Sequence, residues 1–109
     1  MDPEIQELLK LLEAAESILA QYGENHWSKW LQNDSHLIKN LDFYGIEDLL
    51  TAFSGMGSIN DLLIHPINGH KIQESEVDTV NEKIKFLLSN IYSLAETLAR
   101  EEANARHSP

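Results

Sequence analysis

The chain has 109 residues, 18 acidic and eight basic, and a formal net charge of −10. Nucleic-acid binding depends on Lys and Arg side chains that neutralise phosphates, so this balance disfavours nucleic acid and favours a basic protein as partner. Cysteine is absent, which excludes disulfides, thiolate metal ligands and thiol catalysis.

The chain begins with an acidic, amphipathic segment and not with the basic start and apolar run of a signal peptide. No apolar run in the sequence is long enough to cross a bilayer. We therefore expect a cytoplasmic protein that has no membrane partner.

Three helices are predicted in the first half of the chain. Asp2 and Pro3 are typical of a helix start, and apolar residues recur at helical spacing, which predicts helix one over 2–22. Helix two is predicted over 25–41, with Trp27 and Trp30 one turn apart as core anchors or, alternatively, as a binding surface. Helix three is predicted over 45–54.

The pattern changes after helix three. Asn68-Gly69 lies between two short apolar stretches, and this pair favours a tight turn, which predicts a small β-hairpin over 61–72. A long apolar stripe then predicts helix four over 75–103. We expect one mainly α domain over 1–109: an antiparallel bundle of three to four helices with one small β-hairpin before the last helix.

The stretch "FSGMGSIND", residues 53–61, is unlike the helices around it. One interpretation is a structural joint, in which the glycines turn the chain, Met56 fills a gap and the polar side chains bond to loop backbone. The other interpretation is a ligand site. The motif residues are Gly55, Met56, Gly57, Ser58, Asn60 and Asp61.

Catalytic and metal-binding patterns are weak. Ser58, Asp61 and His65 are close in sequence, but a catalytic triad is defined by geometry and not by proximity along the chain. His65 and His70 flank the Asn-Gly turn, yet no spacing typical of a zinc site is present. We predict no catalytic residue, no metal and no cofactor.

Two segments carry a family resemblance, "HWSKWL" and "FSGMGSINDLLIHPINGH". Over residues 5–100 the chain resembles an uncharacterised family of small bacterial domains. A Phe-x-Gly-Met-Gly-Ser-x-Asn-Asp motif marks that family. Ser54 stands where the family pattern often has another glycine. The resemblance implies no catalysis, substrate or cofactor, and small acidic bacterial proteins of this kind are often similar to immunity proteins that neutralise a toxin.

Three hypotheses for function follow. The first is a protein-binding module, an immunity or antitoxin-like inhibitor that occludes a basic toxin domain with carboxylates. The second is a small-molecule or metal-binding domain built around Ser58, Asn60, Asp61, His65 and His70. The third is a homo-oligomer with a structural role. The carboxylates predicted for the first hypothesis are Glu7, Glu13, Glu16, Glu74, Glu76 and Asp78.

Overall fold

A computed structural model describes residues 2–106. This part of the chain is mainly helical and contains four α-helices, whereas the terminal residues of the predicted domain, 1 and 107–109, lie outside the described residues. The four α-helices have these bounds: α1, Pro3–Gln21; α2, Asn25–Lys39; α3, Tyr44–Thr51; and α4, Val77–Arg106. Each α-helix lies where the sequence pattern predicts one, and α4 continues three residues beyond its predicted end.

Local caps explain where the helices begin and end. The Asp2 carboxylate accepts the Glu4 N–H at 2.7 Å, and the Glu24 carboxylate accepts the Trp27 N–H at 3.1 Å. α2 ends in a left-handed turn at Leu41, where φ is 59°. α2 is continuous, although the polar stretch at 33–35 interrupts its apolar pattern in the sequence.

The four helices pack as a ring. α1 contacts α2 and α4, and α3 contacts the other sides of α2 and α4, so α1 and α3 lie diagonally opposite each other. α1 and α4 are antiparallel: the Tyr22 hydroxyl at the end of α1 donates to Glu76, just before α4 begins. The completely buried side chains that fill the ring include Leu8, Leu12, Leu19, Leu31, Leu49 and Ile91.

The predicted β-hairpin is wrong, because residues 2–106 contain no β-strand. Asn68-Gly69 does form a tight turn, and Gly69 has a φ of 83°, but Pro66 starts a short 3₁₀ helix there, Pro66–Asn68. The stretches on either side of the turn are joined at its base, where the His70 N–H donates to the His65 carbonyl at 3.3 Å, and beyond it they bond to other partners. Asn81 of α4 bonds both backbone groups of Ile64, and the Lys71 N–H donates to the Tyr22 carbonyl at 2.9 Å.

The segment between α3 and α4 therefore runs along α4 as an irregular chain. The Phe53 and Tyr92 rings are 5.2 Å apart at one end, and Ile64 bonds Asn81 further on. The segment travels in the direction opposite to α4 and contains two more 3₁₀ turns, Ile59–Asp61 and Glu74–Glu76. This path places residues 53–61 directly beside the middle of α4.

Candidate functional site

The glycine loop projects from the surface. Gly55 and Gly57 have φ values of 74° and 73°, which glycine adopts without strain. Met56 between them is 99% exposed, so the expectation that it fills a gap beneath the hairpin is wrong. The two glycines form a turn whose tip is a solvated apolar side chain.

We expect Gly57→Ala to lower the free energy of unfolding by about 1 kcal/mol, because alanine is strained at positive φ. A methyl group at Gly57 would meet no atom of the described residues within 4 Å, so steric clash does not add to the loss of stability. The matched control is Asn60→Ala, which changes an exposed side chain in the same loop. Thermal melts of the two variants and of wild type measure the difference. Identical melting temperatures for both variants would contradict the backbone explanation.

The polar side chains of the motif differ in what they contact. The Asp61 carboxylate accepts the Gly57 N–H at 3.1 Å and so closes the loop. Ser58 is buried but provides no side-chain cap to the 3₁₀ turn that follows. Asn60 is exposed and its amide bonds to no described group. The structural-joint interpretation requires each of these polar side chains to bond to loop backbone, and of the three only Asp61 does so.

A groove of about 700 Å³ lies between this loop and α4. Its apolar surface consists of Phe53, Ile59, Leu62, Leu63, Ile84, Leu88 and Tyr92. Its polar lining consists of Asn60, Asn81, Glu82, Lys85 and Ser89. Leu63 and Tyr92 are 46% and 39% exposed, and Phe86, which is 67% exposed, neighbours Glu82 and Ser89 on the surface of α4. The groove is therefore the centre of a partly apolar surface.

The carboxylates predicted to bind a partner fall into two groups. Glu7 and Glu13 are exposed on α1, and Glu16 is partly buried on the same helix. The other three are Glu74, Glu76 and Asp78 near the start of α4. Glu76 there is already engaged, because its carboxylate accepts the Tyr22 hydroxyl at 3.0 Å and the Gln73 N–H at 3.3 Å.

Like charges also meet at the opposite end of α1. The carboxylate of Glu101 on α4, followed by burial and Asp2, raises the pKa of Glu4 above its usual value. Negative charge thus extends to the end of the bundle where α1 begins and α4 ends. Sequence reasoning missed Glu101 because its proximity to Glu4 depends on the antiparallel packing of these helices.

The residues of the ligand-site hypothesis do not form one cluster. The His70 Nδ1 accepts the His65 N–H at 3.1 Å, which places its proton on Nε2, 3.0 Å from Glu24. The His65 Nδ1 accepts the Ile67 N–H. Neither histidine lines the groove that Asn60 borders. Within residues 2–106, no group of three or more His, Cys, Asp or Glu side chains is arranged to hold a metal ion.

A completely buried carboxyl lies between α2 and α3. Asp34 has no exposed surface, and neither of its carboxyl oxygens has a hydrogen-bond partner among the described residues. Burial first, and the nearby Asp48 carboxyl second, raise the pKa of Asp34 to about 8, whereas the Trp30 indole N–H acts in the opposite direction. Burial without a partner therefore favours the neutral, protonated form of Asp34. Its position was readable from the helical period, because it follows Leu31 by three residues and precedes Ile38 by four.

Comparison with known proteins places one segment in context. Residues 20–73, from the end of α1 to the loop before α4, match the model of a family described as a domain of unknown function, DUF6966. The matched segment contains the motif at 53–61. A search of curated proteins and a search of solved structures found no match.

No helix within residues 2–106 combines the length and the apolar character needed to cross a bilayer.

Proposed function

We propose that this protein is a small acidic protein-binding module of the cytoplasm, an immunity or antitoxin-like inhibitor that covers a basic surface of a toxin domain. The single observation that carries the proposal is the excess of unpaired carboxylates. The sequence has 18 acids, whereas residues 2–106 contain one Arg–carboxylate ion pair, Arg106–Glu102, and one hydrogen bond between a histidine and a carboxylate, His70–Glu24. Such a surface attracts a cationic partner over long distances and accelerates association.

The outer face of α1 supplies the first contact in this proposal. Glu7 and Glu13 are exposed there, and neither has an ion-pair or hydrogen-bond partner within the described residues. A carboxylate that has no partner of its own loses little when a partner's Arg or Lys approaches, which favours these two as partner-binding groups. Glu74 and Asp78 are exposed near the start of α4 and extend the surface. In this proposal Glu76 stabilises the local fold through its bonds to Tyr22 and Gln73 and does not contact the partner.

The product of a gene adjacent to this one in its native genome is the first candidate partner to test. We expect its association with this protein to slow several-fold between 50 and 300 mM salt, because screening weakens electrostatic steering. Stopped-flow mixing at the two salt concentrations measures the effect directly. The proposal would be contradicted if the product of the adjacent gene is uncharged or acidic and pull-down from the native host recovers no basic protein.

Two charge-reversal variants locate the binding face. Glu13→Lys changes a residue on α1, and Glu47→Lys changes a residue on α3, diagonally across the bundle. The two variants change the net charge by the same amount but on different sides of the protein. Glu13→Lys is expected to slow association at least fivefold, and Glu47→Lys much less. Equal slowing by both variants would mean that net charge alone acts, and α1 would not be the binding face.

A further inference from the structure

The groove beside the glycine loop carries an inference about the partner's shape. We propose that it receives an amphipathic, basic α-helix of a partner protein, whose apolar side chains enter the groove while its Lys and Arg side chains reach the rim. This second proposal rests on the proposed function in one respect, which is that the protein is a protein-binding module. The groove is distinct from the outer face of α1.

The size of the groove suits a helix. It extends along α4 from Asn81 to Tyr92, about 16 Å or three helical turns at 1.5 Å per residue. Apolar side chains form its base, with Ile59, Ile84 and Leu88 almost completely buried. A helix binding in such a groove inserts residues spaced three to four apart, which requires a continuous apolar base of this length.

The charge around the groove selects a basic helix. Glu82 lines it, Asp61 lies in the loop between lining residues Asn60 and Leu62, and Asp78 precedes Glu82 by one helical turn. Glu96 stands at the far end, where it accepts the Tyr92 hydroxyl at 3.0 Å.

The lining itself contains one acid, Glu82, and one base, Lys85, and the other three acids lie beside the lining and make the rim acidic. Lys85 alone among the lining residues is basic, and the neighbouring Lys83 lines a separate cavity on the α1 side. An apolar groove with an acidic rim is the complement of a helix that has one apolar and one cationic face.

The apolar surface extends beyond the groove itself. Leu63, Phe86 and Tyr92 are large and exposed around it, and contiguous exposed apolar groups rimmed by polar ones are typical of protein-binding sites. Met56 is fully exposed on the adjoining loop. A bound helix would cover several of these side chains together.

The test uses a synthetic 14-residue peptide of Leu and Lys, with Leu on one face of the helix. A second peptide of the same composition alternates Leu and Lys, and a third has Glu in place of every Lys. Titration calorimetry gives the affinities, and amide chemical shifts in ¹⁵N-labelled protein locate the site. We expect the helical Lys peptide to bind at least tenfold more tightly than either control, with shift changes concentrated in residues 53–63 and 78–96.

Two matched variants test the groove itself. Leu63→Ser removes an exposed apolar side chain from the groove, and Ile67→Ser removes one that lies outside it. The first is expected to weaken peptide binding at least fivefold and the second less than twofold. Equal effects, or shift changes centred on α1, would overturn the proposal.

Other occupants give different results. Sedimentation that shows a dimer, converted to a monomer by Leu63→Ser, would overturn the proposal in favour of a second copy in the groove. Equal affinity for the alternating peptide would overturn it in favour of attraction by charge alone. Loss of the salt-dependent, Glu13-dependent association would remove the proposed function, whereas loss of groove binding alone would leave the α1 surface in place.

Discussion

Asp34→Asn is expected to stabilise the protein by several kcal/mol at pH 9 and by much less at pH 4. The side chain is completely buried, and neither carboxyl oxygen has a hydrogen-bond partner within residues 2–106. An ionised carboxylate at this position would be desolvated and close to Asp48, whereas the amide of Asn has a similar shape and stays neutral. The Asn side chain could also donate to Asp48 and accept from the Trp30 indole N–H.

The sign of the pH dependence follows from the pKa. Asp34 has a pKa of about 8 in the folded protein, against 3.8 for an unperturbed Asp, so the folded state binds one more proton between these values. The contribution of this group to stability is greatest below pH 4 and is lost progressively as the pH rises to about 8. Each pH unit in that window corresponds to about 1.4 kcal/mol at most.

Urea unfolding of wild type and variant from pH 4 to 9 measures the effect, and the difference between the two curves isolates Asp34 from the other acids. Asp48→Asn should remove only part of the dependence, because burial is the larger cause of the raised pKa. Glu47→Gln, an exposed acid on the same helix, is the control and should leave the slope unchanged. Parallel curves for wild type and Asp34→Asn would mean that Asp34 is hydrated or ionised throughout.

The helices were predictable because their signals are local. Asp2 and Pro3 mark the start of α1, and the 3.6-residue period of buried leucines continues to its last turn. Reasoning from hydrophobicity alone fails at Asp34, although the helical period places it in the core stripe. The polar stretch at 33–35 indicates a break when only hydrophobicity is considered, yet Asp34 occupies a core position of a continuous helix.

Close packing between α2 and α3 explains the burial of Asp34. A Cβ atom at Gly45 would lie 3.0 Å from the Asp34 carbonyl oxygen and 2.9 Å from Ile38, so only glycine allows this approach. The sequence pattern identifies Gly45 as a helix start and does not reveal which backbone approaches it.

The groove was not predictable for a related reason. Asn60 and Tyr92 are distant in sequence, and their proximity depends on the path of the irregular segment between α3 and α4 along the surface of α4. The Asn68-Gly69 turn did form and His70 bonds back to His65 across it, but beyond that pair the flanking stretches bond to groups elsewhere in the fold. A local turn signal therefore predicts the reversal of the chain, while the partners of the flanking backbone are chosen by tertiary packing.

One side chain on α4 determines the path of this segment, and its removal is expected to be costly. The Asn81 Oδ1 accepts the Ile64 N–H at 2.8 Å, and its Nδ2 donates to the carbonyls of Ile64 and Val77, each at 2.8 Å. Ile64 itself has no exposed surface. Asn81 thus satisfies the two backbone groups that a neighbouring strand would satisfy in a hairpin.

We expect Asn81→Ala to lower the free energy of unfolding by about 2 to 4 kcal/mol, since it leaves a buried N–H and a buried carbonyl without partners. Asn81→Leu restores side-chain volume but neither bond, so it should be nearly as destabilising as alanine. Asn90→Ala is the matched control on the same helix, because the Asn90 amide bonds only to the Phe86 carbonyl on an exposed turn. Its cost should stay below about 1 kcal/mol. Urea unfolding gives these values, and hydrogen exchange should show faster exchange of the Ile64 amide in both Asn81 variants. An Asn81→Leu protein as stable as wild type would mean that volume, and not the paired hydrogen bonds, holds the segment against α4.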